Sequence, residues 1–275
     1  MGSATNPANQ RAAASLPNVS FFNDNIRDAV KGSVFTANDK GFVQGNKNTV
    51  TNVLAGILGQ TKAGRQYSSS WTSAAPGQSV NYVEAHDNLT LWDKLQSSMD
   101  VGDLAGQLAA DRQAAAIVFT AQGIPFMQAG QEFLRTKQKD PNSYASSDSV
   151  NGLNWADRGV NASTVAYYKG LIALRKAHSA FRMKSSSAIS RNIKISFSNK
   201  NVINEWLNGT AAGDSWKQIV VLHNSNSSAV AITLPAKTNW YVVVNGSAAG
   251  VTTLSTLKKA SKIVVPAMTS LVLHN

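Results

Sequence analysis

Apolar and polar positions run through this chain in two regimes that change over near Phe181. Before that point, apolar residues recur at helical spacing between short β-branched or aromatic runs. Val50, Val53, Leu54, Ile57 and Leu58 fall at i, i+3, i+4, i+7 and i+8, predicting a helix with Asn48 as N-cap and Gly59 as its stop. An alanine-rich stretch over 108–122, carrying Ile117, Val118 and Phe119, predicts a second helix ended by Gly123. A third, capped by Ser163, sets Val165, Tyr168, Leu171 and Ile172 on one side. Strands are expected at 19–22, from Val80, and at 124–130, with Pro125 near a strand start where a missing donor is tolerated. Three strand-then-helix units in succession argue for a parallel sheet. After Phe181 the pattern becomes short strands at 192–197, 202–207, 218–222, 230–234, 240–244 and 262–273, the last broken at Pro266. That spacing predicts an antiparallel sandwich. The expected fold class is therefore α/β plus all-β, with domains at 1–180 and 181–275.

Within the first regime, the run beginning at Val80 breaks into His86-Asp87-Asn88. Polar groups are thereby presented where a buried strand gives way to its loop, the position at which α/β barrels keep their chemistry. A His-Asp pair taken alone fits structural hydrogen bonding equally well. Asp24 and Asp28 follow the strand at 19–22, where an acid is ordinary turn and helix-cap chemistry.

Composition removes several classes of function. The 275 residues are 43% hydrophobic and 15% charged, as in a globular protein with a polar, uncharged surface. Cysteine is absent, which excludes disulfides, thiolate metal sites and Cys nucleophiles. His86, His178, His223 and His274 are too scattered for a zinc motif, so no metal site is expected. The net charge of +11 arises from scarce acids, 15 against 26 bases, and the bases are dispersed apart from groups such as Arg135-Thr136-Lys137-Gln138-Lys139. Neither nucleic acid nor a membrane is expected as a partner. Zero cysteines and a basic, Ser/Asn-rich surface are compatible with export, so a secreted or cell-surface protein is slightly favoured over a cytoplasmic one.

Longer strings carry more information. Tyr82-Val83-Glu84-Ala85-His86-Asp87-Asn88-Leu89-Thr90-Leu91-Trp92-Asp93 closely resembles the segment after the seventh strand in type I pullulanases, the α-1,6-debranching members of the α-amylase superfamily. Phe21-Phe22-Asn23-Asp24 with Ile26-Arg27-Asp28 resembles the segment around the sixth strand, and Gln131-Glu132-Phe133-Leu134-Arg135-Thr136-Lys137 with Asn142-Ser143-Tyr144 that after the eighth. The family usually has Asn and Pro near Ala145 and Ser147, a local departure. The resemblance implies the last three βα units of a (β/α)8 TIM barrel followed by a β-sandwich domain. It implies that Asp87 stabilises the transition state and that His86 hydrogen-bonds the sugar at the cleavage point. Asn88, Trp92, Arg135, Tyr144, Asp148, Asn151 and Trp155 complete the expected substrate-binding set, with Trp92 and Trp155 as exposed aromatics. The partner so implied is an α-glucan such as pullulan, starch or a branched dextrin.

Retaining cleavage of a glycosidic bond also needs a carboxylate nucleophile and an acid. The resemblance puts these after strands four and five, upstream of this chain. Glu84, Glu132 and Glu205 are the only glutamates, and none occupies the acid's place. Met1-Gly2-Ser3-Ala4 resembles residues just downstream of that acid. The chain alone is accordingly expected to be inactive and to need no cofactor, with calcium left to a full-length parent. Two other readings stay open: a truncated protein that only binds α-glucan, and a basic binder of nucleic acid or cell-wall polymer.

Overall fold

A computed structural model describes residues 8–197 and 202–275, so the reading of Met1 to Ala4 lies outside the described residues. Its first part contains β1 (Phe21–Phe22), α1 (Asp24–Lys31), α2 (Val50–Ile57), β2 (Ser79–Asn81), α3 (Leu91–Ser98), α4 (Leu104–Thr120) and β3 (Ile124–Pro125). Then come α5 (Asp148–Asn151), α6 (Asp157–Val160), α7 (Ala162–Ala177) and α8 (Ser186–Asn192). The three strands lie side by side and parallel, with Phe22 opposite Val80 and Val80 opposite Ile124. They are shorter than the apolar runs suggested, because the chain turns out of the sheet at Asn23, Tyr82 and Phe126.

Helix boundaries shift for identifiable reasons. Asn46, not Asn48, caps the turn leading into α2, accepting from the Asn48 amide. Asp103 caps α4 four residues before the expected start, its carboxylate accepting from the Gly106 amide. Ser163 lies inside α7 and takes a hydrogen bond from Arg112 instead of capping. On α7, Val165, Tyr168 and Leu171 are buried as expected, but Tyr167 is buried in place of Ile172.

The second part consists of β4 (Ile193–Phe197), β5 (Val202–Asn208), β6 (Gln218–Asn224), β7 (Val230–Val244), β8 (Ser255–Val265) and β9 (Thr269–His274). Where the sequence suggested two packed sheets, these strands form one hydrogen-bonded antiparallel sheet in the order β4-β5-β6-β9-β7-β8. The expected strands at 230–234 and 240–244 are a single strand, β7, whose pairing with β8 changes register between Thr233 and Trp240. Such irregularities bend a strand. The first half of β7 thereby lays Val230, Ile232 and Leu234 against Val220, Leu222 and Leu273, so a bend in one sheet supplies the second layer.

The other face of this sheet is covered by helices. Leu207, Ile219, Val221, Val243 and Val272 share one buried cluster with Ala115, Phe119, Tyr168, Leu171 and Leu174 of α4 and α7. The two parts of the chain therefore share a hydrophobic core.

Candidate active site

Parallel strands deliver their following loops to a common edge, and here that edge collects Asp24 after β1, Tyr82 to Asn88 after β2, and Phe126 after β3. Phe22, Tyr82 and Phe126 meet edge to face, with ring centroids 5.0, 5.2 and 6.3 Å apart. Above them the Tyr82 hydroxyl donates to Asp24 Oδ1 at 2.6 Å, and Arg27 donates to both at 2.8 and 3.1 Å. Arg27 also donates to Asp28 at 2.6 Å. Both aspartates are thus engaged in ion pairs, while the cap of α1 is Asn23, whose side chain accepts from the Ile26 amide. A small hollow of about 60 Å³ opens between Arg27, Lys31, Tyr82, Asp87 and Asn88.

The loop carrying His86 and Asp87 is held from below while its side chains face outward. The side chains are 85% and 76% exposed, with His86 Nε2 3.3 Å from Asp87 Oδ1. Beneath them, Glu84 Oε2 accepts from the Leu91 amide at 2.8 Å. Lys31 Nζ donates to the Leu89 carbonyl at 3.1 Å, and Lys137 Nζ to the His86 carbonyl at 2.8 Å. Asn88 takes the left-handed conformation at φ 64°, a region asparagine tolerates better than most residues. Burial pushes the Glu84 carboxyl up and the Lys31 and Lys137 ammonium groups down from their ordinary values. The backbone on both sides of Asp87 is therefore held by hydrogen bonds with three buried side chains.

The insert after β3 is tied to this loop through Asp93. Its carboxylate accepts from the Thr136 hydroxyl at 2.5 Å and from the Lys137 amide at 2.8 Å. Farther along, Arg135 and Asn151 act within the insert: Arg135 donates to the Asn151 carbonyl, and the Asn151 amide donates to the carbonyls of Ser143 and Ser146. Tyr144, on its tip, is 84% exposed, and Asp148 is exposed at the start of α5. Trp155 is 64% exposed, yet it lines a separate hollow with Arg158 and Lys169 against α7. That hollow shares no residue with the one beside Asp87.

One expectation is corrected outright. Trp92 is not an exposed aromatic: it sits on the inner face of α3, 9% exposed, in a cluster with Val83, Leu91, Leu95 and Leu134. The helix that turns it inward went unpredicted, because Leu91, Trp92 and Leu95 were read as part of a loop motif. Lys31, Glu84 and Lys137 were likewise not assigned as supports for the loop. Their signal is only tertiary, since each sits on a different element.

Deeper still, Asp111 of α4 is fully enclosed, with one oxygen receiving the Tyr168 hydroxyl at 3.2 Å and the other unpaired. Burial pushes its carboxyl up to about 8. It lies inside the helical layer and belongs to the core, not to the site. Among the described residues no cluster of three or more His, Asp or Glu side chains is placed to hold a metal ion. None of the described helices is long and apolar enough to cross a membrane.

The chain matches known proteins along nearly its whole length. Residues 189–248 match a family described as "Pullulanase, all-beta domain". Pullulanase of Bacillus subtilis (strain 168) is 41% identical over 238 residues, covering 83% of this chain and 32% of that protein. Isoamylase of Pseudomonas amyloderamosa is 30% identical over 214 residues, covering 62% of this chain and 27% of the relative. Among solved structures, pullulanase type I from Bacillus subtilis str. 168 complexed with maltose superposes with a TM-score of 0.90 at 34% identity, over 99% of this chain and 37% of that one. The chain spans about a third or less of the length of the curated relatives it matches. In sequence and in fold, the chain resembles pullulanases nearly end to end, and the resemblance read from its own residues is borne out.

Proposed function

We propose that this chain is the C-terminal part of a retaining glycoside hydrolase that cleaves α-1,6-glucosidic branch linkages in pullulan, starch or related α-glucans. On this reading the β1-β2-β3 sheet is the last three strands of a (β/α)8 barrel. One observation carries the reading: a solvent-facing carboxylate, Asp87, held beside His86 on a pinned loop at the carboxyl edge of a parallel sheet. As the glycosidic bond breaks, positive charge develops on the sugar's anomeric carbon and ring oxygen. A negative charge fixed in advance stabilises that state without reorganising at the moment of reaction. His86, exposed next to it, is placed to hydrogen-bond a sugar hydroxyl.

The nucleophile and the acid come from elsewhere. Glu84 is buried beneath the loop and Glu205 lies in the core of the antiparallel sheet. Glu132 Oε2 accepts from the Gly130 amide in the turn after β3. Asp24 and Asp28 are paired with Arg27. These five carboxylates, among the described residues, are thus engaged or buried away from the Asp87 side chain. The isolated chain is accordingly expected to release no reducing sugar from pullulan above background. Release that survives repurification and disappears in Asp87→Asn would show that the chain holds a complete catalytic set.

A further inference from the structure

We infer that the antiparallel sheet carries a second α-glucan-binding cleft, centred on Trp206 and separate from the Asp87 loop. This rests on the α-glucan reading above for its ligand class. The cleft has a volume of about 370 Å³, within the roughly 300–1,000 Å³ of small-ligand sites. It opens at the end of β4, β5 and β6, where the bent β7 brings Pro235 over the sheet as a wall. The register puts Lys194 opposite Trp206 and Asn208 opposite Gln218, and directly opposed residues share a face.

What distinguishes this cleft is its supply of donors without acceptors. The Arg191 guanidinium, the Lys194 ammonium and the side-chain amide N–H groups of Asn192, Asn208 and Gln218 have no partner among the described residues. The amide oxygens of Asn208 and Gln218 are already engaged, by the Ala211 amide at 3.1 Å and the Asn275 side chain at 3.2 Å, which orients both amides. Trp206, only partly buried, offers an aromatic surface between them. Its indole N–H, by contrast, is buried away from the cleft surface.

An aromatic surface ringed by donors suits a sugar, whose C–H face packs on the ring while its hydroxyl oxygens accept. Arg191 and Lys194 add two positive charges that an acidic polymer would also meet, so the test below separates the two classes; the neutral glucan is favoured by the aromatic surface and the two oriented amides, which match hydroxyls. Such a site would give a branched polymer a second point of attachment on the same chain.

The test is titration of the full chain with maltohexaose, followed by NMR of ¹⁵N-labelled protein. The expected result is saturable shifts of the Trp206 indole and of the Asn208 and Gln218 amides. Trp206→Ala should weaken this phase at least tenfold, whereas Asp87→Asn and Trp155→Ala leave it unchanged. Because Trp206 also packs on the core, the exposed pair Arg191→Ala/Lys194→Ala serves as a second variant, expected to weaken the same phase several-fold with the fold intact. Shifts confined to the His86–Asn88 loop would overturn the cleft while leaving the proposed function standing. No shift anywhere would count against both. Salt-sensitive binding of polygalacturonate, with no maltohexaose binding at Trp206, would likewise overturn a neutral-glucan site.

Discussion

In an enzyme where this chain works with the proposed nucleophile and acid, Asp87→Asn is expected to lower kcat about a hundredfold or more while KM changes little. The carboxylate faces solvent in the free protein, so its charge interacts weakly until a substrate excludes water and positive charge appears. Loss of one such transition-state interaction costs on the order of 3 kcal/mol. Asparagine keeps the shape and a hydrogen-bonding oxygen but removes the charge, which separates electrostatics from contact. The pinned backbone sharpens the experiment, because Glu84, Lys31 and Lys137 hold the loop through Leu91, Leu89 and His86 and none of these contacts involves the Asp87 side chain. Steady-state kinetics on pullulan decides it. A variant with most of the parent kcat would show that Asp87 is not the stabilising charge.

The second large effect is on stability and concerns the junction of the two parts. Leu171→Ala on α7 removes a fully buried side chain from the cluster that joins α4 and α7 to the sheet. Such truncations cost about 2–5 kcal/mol, a large share of the roughly 5–15 kcal/mol that stabilises a domain. Because Ile219 and Val221 of β6 lie in the same cluster, the loss reaches the sheet as well as the helix. Amide exchange in the variant should therefore accelerate across β6 together with α7. Faster exchange in α7 with β6 protection unchanged would mean that the two parts hold separate cores. The expected outcome differs from what the sequence suggests, namely a self-contained sandwich after Phe181, because strand alternation reveals which residues are buried but not what covers them.

The same limit explains what was legible at the active edge. His86 and Asp87 stand out in the sequence because a run of bulky residues around them resembles a known loop, and both lie in the loop that follows β2. Trp92 was misjudged since the same string read as loop, although Leu91, Trp92 and Leu95 lie at helical spacing and are buried together. Arg135 and Asn151 are expected from the sequence to bind substrate, and the partners the fold gives them are carbonyls of the insert itself. A composition suited to sugars is equally suited to stitching a long loop. Trp206 gave no signal as a candidate site residue, lying in an ordinary strand pattern. Only the bend in β7 turns its surroundings into a cleft.

The linkage specificity of the complete enzyme is the most direct test of the proposed function. Pullulan consists of maltotriose units joined by α-1,6 bonds, so the bond that is cut is read from the product. Chromatography of an exhaustive digest should give maltotriose as the end product, formed at least about a hundredfold more slowly by the Asp87→Asn enzyme. A digest yielding trisaccharides that retain an α-1,6 bond, formed by cutting α-1,4 linkages, would contradict the assignment of this chain to a debranching hydrolase.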